Sequence, residues 1–277
     1  MTMRTQSDRL IDEQVQRFHR DGFLNAGMVL SEAEVLELGD ALAAVIAKGP
    51  DGFAGVKPHP VLFHDMAATR DGEGNVVSEN PNYQIVNIWQ CAEPFRRLLW
   101  HPLVIRAISQ LTGFTDLQIW HDQVQYKPAK TGGSTPWHQD EAYWQEDKLY
   151  QELSVWFALQ KTTEKMGCMQ FIAGSHRGEV RPHHPWKNDP KIIALEVDAD
   201  CVDATLAVAC PLHAGAATVH SARTLHYTSG NRTDEPRRAL IFTVGTPPAQ
   251  RDQPRNFYWN QKERDYKKEC LDRGVRQ

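Results

Sequence analysis

The chain has 277 residues, 41% of them hydrophobic and 24% charged, the balance of an ordinary globular protein. Lys and Arg total 31 against 35 Asp and Glu, so the formal charge of −4 offers no general attraction to nucleic acid or anionic lipid. No apolar run reaches the ~20 residues of a membrane-spanning helix, and Met1–Gln16 lacks the apolar stretch of a signal peptide. The expected location is the cytoplasm, with no membrane contact and no obligate protein partner. Five scattered cysteines, none in a Cys-x-x-Cys pair, argue against a zinc ribbon or a disulfide framework.

Gln14 to Arg20 reads as a short helix stopped at Asp21-Gly22. Ser31-Glu32-Ala33-Glu34 is a capping-box pattern, in which the serine and glutamate side chains each satisfy a free backbone N–H. Val35, Leu38, Leu42 and Val45 then recur at helical spacing until Gly49-Pro50. Residues 51–81, rich in Gly, Asp, Asn and Pro, predict a long irregular excursion. Glu93 to Leu111 returns to helical character and closes at Gly113. From Leu117 onward short strand-like runs alternate with turns: Leu117–Lys127, Pro136–Tyr143, Leu153–Gln160, Cys168–Ile172, Thr205–Leu212, Ala216–His220, Thr224–Thr228 and Arg237–Gly245.

Eight such runs behind a helical layer predict a mainly β fold with flanking α, built on a jelly-roll or double-stranded β-helix core. A single domain is expected over 1–277. Residues 1–113 form a mostly helical flank, 114–249 the core, and 250–277 a C-terminal wrap anchored by Phe257, Tyr258 and Trp259.

The chemistry centres on Trp137-His138-Gln139-Asp140. Strand alternation sends His138 and Asp140 to one face, an imidazole beside a carboxylate. His-x-Asp alone is a weak signal. Among twelve histidines, His226 stands out because Thr228, Asn231 and Arg237-Arg238 follow it. Two imidazoles and one carboxylate are the facial set of non-haem iron(II) oxygenases, which leaves three positions open. Zinc takes the same ligand types, so they do not name the metal. The neighbours His121 and Asp122 face opposite ways on a strand and make a poor second pair. His183 and His184 read as solvated loop residues, and His220 as a packed core histidine.

Together with Trp137-His138-Gln139-Asp140, three further motifs are Gly174-Ser175-His176, closing the run from Met166; His226-Tyr227-Thr228-Ser229-Gly230-Asn231; and Arg237-Arg238-Ala239. Phe18-His19-Arg20-Asp21-Gly22-Phe23 opens the series. In this order the motifs resemble the phytanoyl-CoA dioxygenase family, from about residue 14 to residue 245. Ala173 departs from the family's usual proline. The resemblance implies a double-stranded β-helix oxygenase using iron(II), 2-oxoglutarate and O2.

Carried over by position, His138, Asp140 and His226 would be the iron ligands. Arg237 would grip the distal carboxylate of 2-oxoglutarate, with Thr228, Trp156 and Gln123 contacting the same co-substrate. Alternation does not choose between Arg237 and Arg238, because both faces of that strand could be interior; the family's spacing from His226 favours Arg237. A carboxylate at position 140, where halogenating relatives carry a small residue, implies oxygen transfer. The expected reaction is hydroxylation of an unactivated carbon in a small molecule, with release of succinate and CO2. Tyr143 and Arg223 are candidate substrate contacts. The competing reading is a cupin-like hydrolase or isomerase that holds a metal without 2-oxoglutarate, and an arginine clamp is what distinguishes the two.

Overall fold

α1 (Asp12–Asp21) ends at Gly22, whose φ of +84° only glycine adopts without strain. Space demands glycine as well, because a Cβ there would lie 2.3 Å from His176 Nδ1 and 2.7 Å from Thr224 Oγ1. β1 (Phe23–Met28) follows at once. The capping box then starts α2 (Glu32–Lys48): Ser31 Oγ accepts the Glu34 N–H at 3.3 Å, and Glu34 Oε2 accepts the Ser31 N–H at 2.8 Å. The computed structural model from which this geometry comes describes residues 9–49, 52, 62–70, 73, 76–190, 192 and 194–260.

Within the stretch expected to be irregular lie β2 (Leu62–Asp65) and a short hairpin of β3 (Thr69–Arg70) and β4 (Val76–Val77); the remainder falls largely outside the described residues. β5 (Tyr83–Val86) leads to the second helical segment. That segment is two helices, α3 (Glu93–Leu99) and α4 (Pro102–Thr112). Pro102 has no N–H with which to continue α3 and instead opens α4.

Twelve strands follow: β6 (Gln118–Lys127), β7 (Thr135–His138), β8 (Lys148–Leu149), β9 (Glu152–Ala158), β10 (Met169–Ile172), β11 (His183–Pro185), β12 (Leu195–Val197), β13 (Ala207–Cys210), β14 (Ala216–Ser221), β15 (His226–Thr228), β16 (Arg237–Gly245) and β17 (Ala249–Gln250). The run expected over Pro136–Tyr143 stops at His138, and Asp140–Tyr143 is a 3₁₀ turn. The run at Thr205 likewise begins with a 3₁₀ turn and becomes strand only at Ala207.

A seven-stranded sheet runs β1-β14-β9-β16-β6-β5-β2, and a four-stranded sheet runs β13-β10-β15-β7. They form the jelly roll as two open sheets, not a closed barrel. Trp156, Ala239 and Ile241 of the large sheet pack with Met169, Phe171 and Cys210 of the small one. The other face of the large sheet meets the helices, where Val155, Phe157, Leu240 and Phe242 join Leu38, Leu42, Phe95 and Ile108. Both faces of β9 and β16 are therefore buried, which is why their sequences are apolar almost without alternation. Among the described residues no helix is long and apolar enough to cross a membrane.

Candidate active site

Antiparallel pairing of β7 with β15 sets His138 directly opposite His226, with ring centroids 4.1 Å apart. Gln139 keeps extended backbone angles although the strand has ended, so Asp140 still projects beside His138. Asp140 Oδ1 lies 3.5 Å from Nε2 of each histidine, and one ligand atom from each residue falls within 4.8 Å of the others. Backbone carbonyls fix the rings: His138 Nδ1 lies 2.8 Å from Pro136 O, and His226 Nδ1 lies 2.9 Å from Thr224 O. A carbonyl only accepts, so each Nδ1 carries the proton and each Nε2 lone pair is left for a metal.

The second carboxylate oxygen is also held. Ser154 Oγ donates to Asp140 Oδ2 at 2.8 Å, and His220 Nε2 lies 3.4 Å from the same oxygen. Burial opposes ionisation of Asp140, yet His226, His138 and His220 hold its carboxyl well below the usual carboxylate range. Burial, with His138 alongside, pushes His226 down, which favours the neutral imidazole a metal binds. The site is thus arranged to present one anion and neutral nitrogen donors.

Several segments brace this constellation from behind. Gln139 is fully buried; its amide nitrogen donates to Arg223 O at 2.6 Å and its oxygen accepts the Arg181 N–H at 2.8 Å. His183 accepts the Gln139 backbone N–H at 3.2 Å. His183 is therefore a buried brace rather than a solvated loop residue, while His184 is half-buried beside Asp198 at 2.7 Å. Ser175 Oγ accepts the Leu225 N–H at 2.8 Å, and Thr224 Oγ1 donates to Gly22 O at 2.7 Å, so the Gly-Ser-His and Asp-Gly motifs steady the approach to His226. On the other flank Trp259 Nε1 and Asn260 Nδ2 both donate to Ala142 O, at 3.0 and 3.1 Å.

A cavity of about 550 Å³ opens over the triad, and Trp156, Thr228, Gln123 and Tyr143 all line it. Gln123 Oε1 accepts from Gln84 Nε2. The Tyr143 hydroxyl accepts the Leu195 N–H at 2.7 Å, and its ring meets His138 edge-on. Arg237 is fully buried with its guanidinium carbon 5.5 Å from the Trp156 ring centroid, and none of its three nitrogens has a hydrogen-bond partner. Burial pushes it down to about 9. Arg238 points elsewhere; it is half-buried, and its backbone N–H donates to Gln160 Oε1 at 3.1 Å.

Arg223 does not line the cavity. Its Nε lies 3.0 Å from Glu141 Oε2 and its Nη1 donates to Gly178 O at 2.8 Å. His121 faces the cavity, while Asp122 turns to the opposite side and accepts the Trp89 N–H at 2.8 Å, as alternation requires. His220, read from sequence as core packing, does line the cavity. Ser154 and His220 are not legible as site residues in the sequence. Ser154 alone left a trace, lying two positions before Trp156 on one strand face.

The sequence pattern of the phytanoyl-CoA dioxygenase (PhyH) family matches residues 18–239. The chain belongs to the PhyH family. Among its relatives, phytanoyl-CoA dioxygenase domain-containing protein 1 of Bos taurus is 24% identical, over 84% of this chain and 89% of the relative. The L-proline trans-4-hydroxylase of Streptomyces griseoviridis is 26% identical, over 84% and 85%. Among solved structures, EvdO2 from Micromonospora carbonacea var. aurantiaca, complexed with 2-oxoglutarate, is 30% identical with a TM-score of 0.70, covering 90% of this PhyH-family chain and 96% of its own. The carbocyclase SnoK from nogalamycin biosynthesis, 23% identical with a TM-score of 0.68 over 87% of each chain, shares the fold.

Proposed function

We propose that this PhyH-family protein is an iron(II)- and 2-oxoglutarate-dependent dioxygenase that hydroxylates an unactivated carbon of a small molecule. The observation that carries this reading is the guanidinium of Arg237, wholly buried and unpartnered against the ring of Trp156, a residue that lines the same cavity as the three-donor metal site. A buried charge without a counterion costs several kcal/mol, and a bound carboxylate removes that cost. A planar two-pronged donor also suits a carboxylate better than lysine does. A cupin-like hydrolase or isomerase has no use for such a group.

His138, Asp140 and His226 would hold the iron. The 3.5 Å from Asp140 Oδ1 to Nε2 of each histidine is close to the ~3 Å expected between adjacent ligands with bonds near 2.1 Å. Arg237 would bind the distal carboxylate of the co-substrate, with Thr228, Trp156 and Gln123 shaping its walls. With O2, the bound iron and 2-oxoglutarate would supply the oxidation, yielding succinate, CO2 and a hydroxylated carbon. The chain's own share is to orient and to keep water out. Ser154 holds Asp140 through one oxygen so that the other is free for the metal. Tyr143, fixed by Leu195, would border the substrate.

Asp140 supports oxygen transfer because it occupies the position that would otherwise admit a halide, and one relative is named a hydroxylase. The charge balance supports a small-molecule partner rather than nucleic acid. The test is calorimetric titration of iron(II)-loaded protein with 2-oxoglutarate without oxygen, followed by succinate assay on admitting air. Saturable binding and iron-dependent succinate support the reading, and absence of 2-oxoglutarate binding overturns it.

A further inference from the structure

Successive inward residues of β9 fall at three levels of the cavity. Trp156 faces Arg237, Ser154 holds the carboxylate of Asp140, and Glu152 stands one spacing further, about 7 Å beyond the level of the metal site. Glu152 lines the cavity yet is only 3% exposed, and its Oε1 has no hydrogen-bond partner. Room is kept for it: β16 places Gly245 opposite, where a Cβ would lie 2.6 Å from Glu152 Cγ. A buried carboxyl that holds nothing within the fold costs stability and is therefore informative.

The rest of the lining is selective in kind. Among the described residues the cavity wall itself carries no lysine or arginine, since Arg237 sits against the Trp156 ring rather than among the lining residues, and Asp140 and Glu152 are its only acids. Around Glu152 the wall is aromatic, with Trp144 and Trp120 at 4.8 and 6.1 Å from Tyr150, which precedes β9 by two residues and lines the same cavity. Gln145 adds a neutral amide. Aromatic faces and an unpaired carboxyl are the chemistry that binds an organic cation, and they offer nothing to a phosphate or carboxylate.

Resting on the reading of the site as an iron and 2-oxoglutarate centre, we propose that Glu152 is a specificity residue for a protonated amine on the primary substrate. With both groups bound, the metal, Asp140, the co-substrate dianion and Arg237 offset one another, which leaves Glu152 as the group of the lining that a cation would draw into its ionised form. Burial first, then Asp140 and Glu141, pushes the Glu152 carboxyl up to about 8, so an ammonium beside it restores the stabilisation that solvent would supply to its anion. An anionic thioester or phosphorylated substrate is disfavoured by the same wall.

The experiment compares benzylammonium, benzyl alcohol and benzoate, which share shape and differ in charge. Each is titrated calorimetrically into protein saturated with iron(II) and 2-oxoglutarate under anaerobic conditions. Wild-type protein is expected to bind benzylammonium roughly tenfold tighter than benzyl alcohol, with benzoate weakest. Glu152→Gln should erase the preference while leaving 2-oxoglutarate affinity unchanged. Benzylammonium binding no tighter than benzyl alcohol, including failure of both to bind, overturns the proposal, as does a preference that survives in Glu152→Gln. Failure to load 2-oxoglutarate at the outset would instead overturn the co-substrate reading, so the two are separable. The wild-type comparison does not depend on the variant's folding.

Discussion

Lys127 donates from Nζ to Thr228 Oγ1 at 2.7 Å and to Ser229 O at 2.9 Å, although it is fully buried. Burial, with Arg237 and Arg232 near, pushes the amine well below its ordinary value. By occupying a lone pair of the Thr228 hydroxyl, Lys127 turns that hydroxyl's own proton toward the cavity, where a co-substrate carboxylate would accept it. Lys127→Met, close in length, is expected to weaken 2-oxoglutarate binding roughly tenfold, about 1.4 kcal/mol. Thr228→Val should do the same, and the double variant should be no weaker than either single one. Calorimetry on iron-loaded protein measures all three.

Arg237→Ala should lower 2-oxoglutarate affinity by roughly a hundredfold or more, in the range for removing one side of a buried charge pair. The metal should still bind, because Arg237 is not among the three donors. Arg238→Ala serves as the control and should stay near wild type. Equal losses from the two substitutions would show that the clamp has been misassigned.

Iron(II) should stabilise the fold through the triad. At a hundredfold excess over Kd the gain is about 2.7 kcal/mol, and for a chain of this size that raises Tm by roughly 5–10 °C. His226→Ala or Asp140→Ala should abolish the shift, and a chelator should reverse it in wild type. Anaerobic differential scanning calorimetry reads each case.

Asp122 carries a pH signature away from the metal. It is 4% exposed, and burial pushes its carboxyl up to about 6 despite the Trp89 N–H. A carboxyl raised on folding keeps its proton in the native state while the unfolded chain has lost it. Its contribution is therefore most favourable below about pH 4 and is lost as pH rises through about 6. Asp122→Asn should remove this component, raising stability at pH 7 by about 1–3 kcal/mol relative to wild type and leaving less difference near pH 4. Urea unfolding of both proteins across that range supplies the comparison.

Much of the site could be read from the sequence because its parts are short-range patterns: His138 and Asp140 lie two residues apart, and Gly174-Ser175-His176 and the run from His226 are contiguous. What escaped depends on pairing between distant strands. His220 and Ser154 reach Asp140 only because β14 and β9 place them opposite each other, a register no local pattern states. Arg237 and Arg238 could not be separated by alternation because β16 is buried on both faces, between the second sheet and the helices. β1 and β5 are brief runs, and β1 carries Gly27 at φ +74° beside a register shift, so neither displayed a clear period of two. Arg223 looked available because it sits near His226; its partner Glu141 is 82 positions earlier.

The two donors from Trp259 and Asn260 to Ala142 O close a loop of more than a hundred residues around the turn that carries Asp140. On the ribosome, β7 and β15 can emerge and meet while that carbonyl is still bare. The turn that carries Asp140 acquires these two contacts only once synthesis has passed Asn260. The geometry of that turn thus depends on a segment more than a hundred positions further along the chain, so loosening Trp259 or Asn260 would be felt at Asp140 without any change in the strands that carry the two histidines.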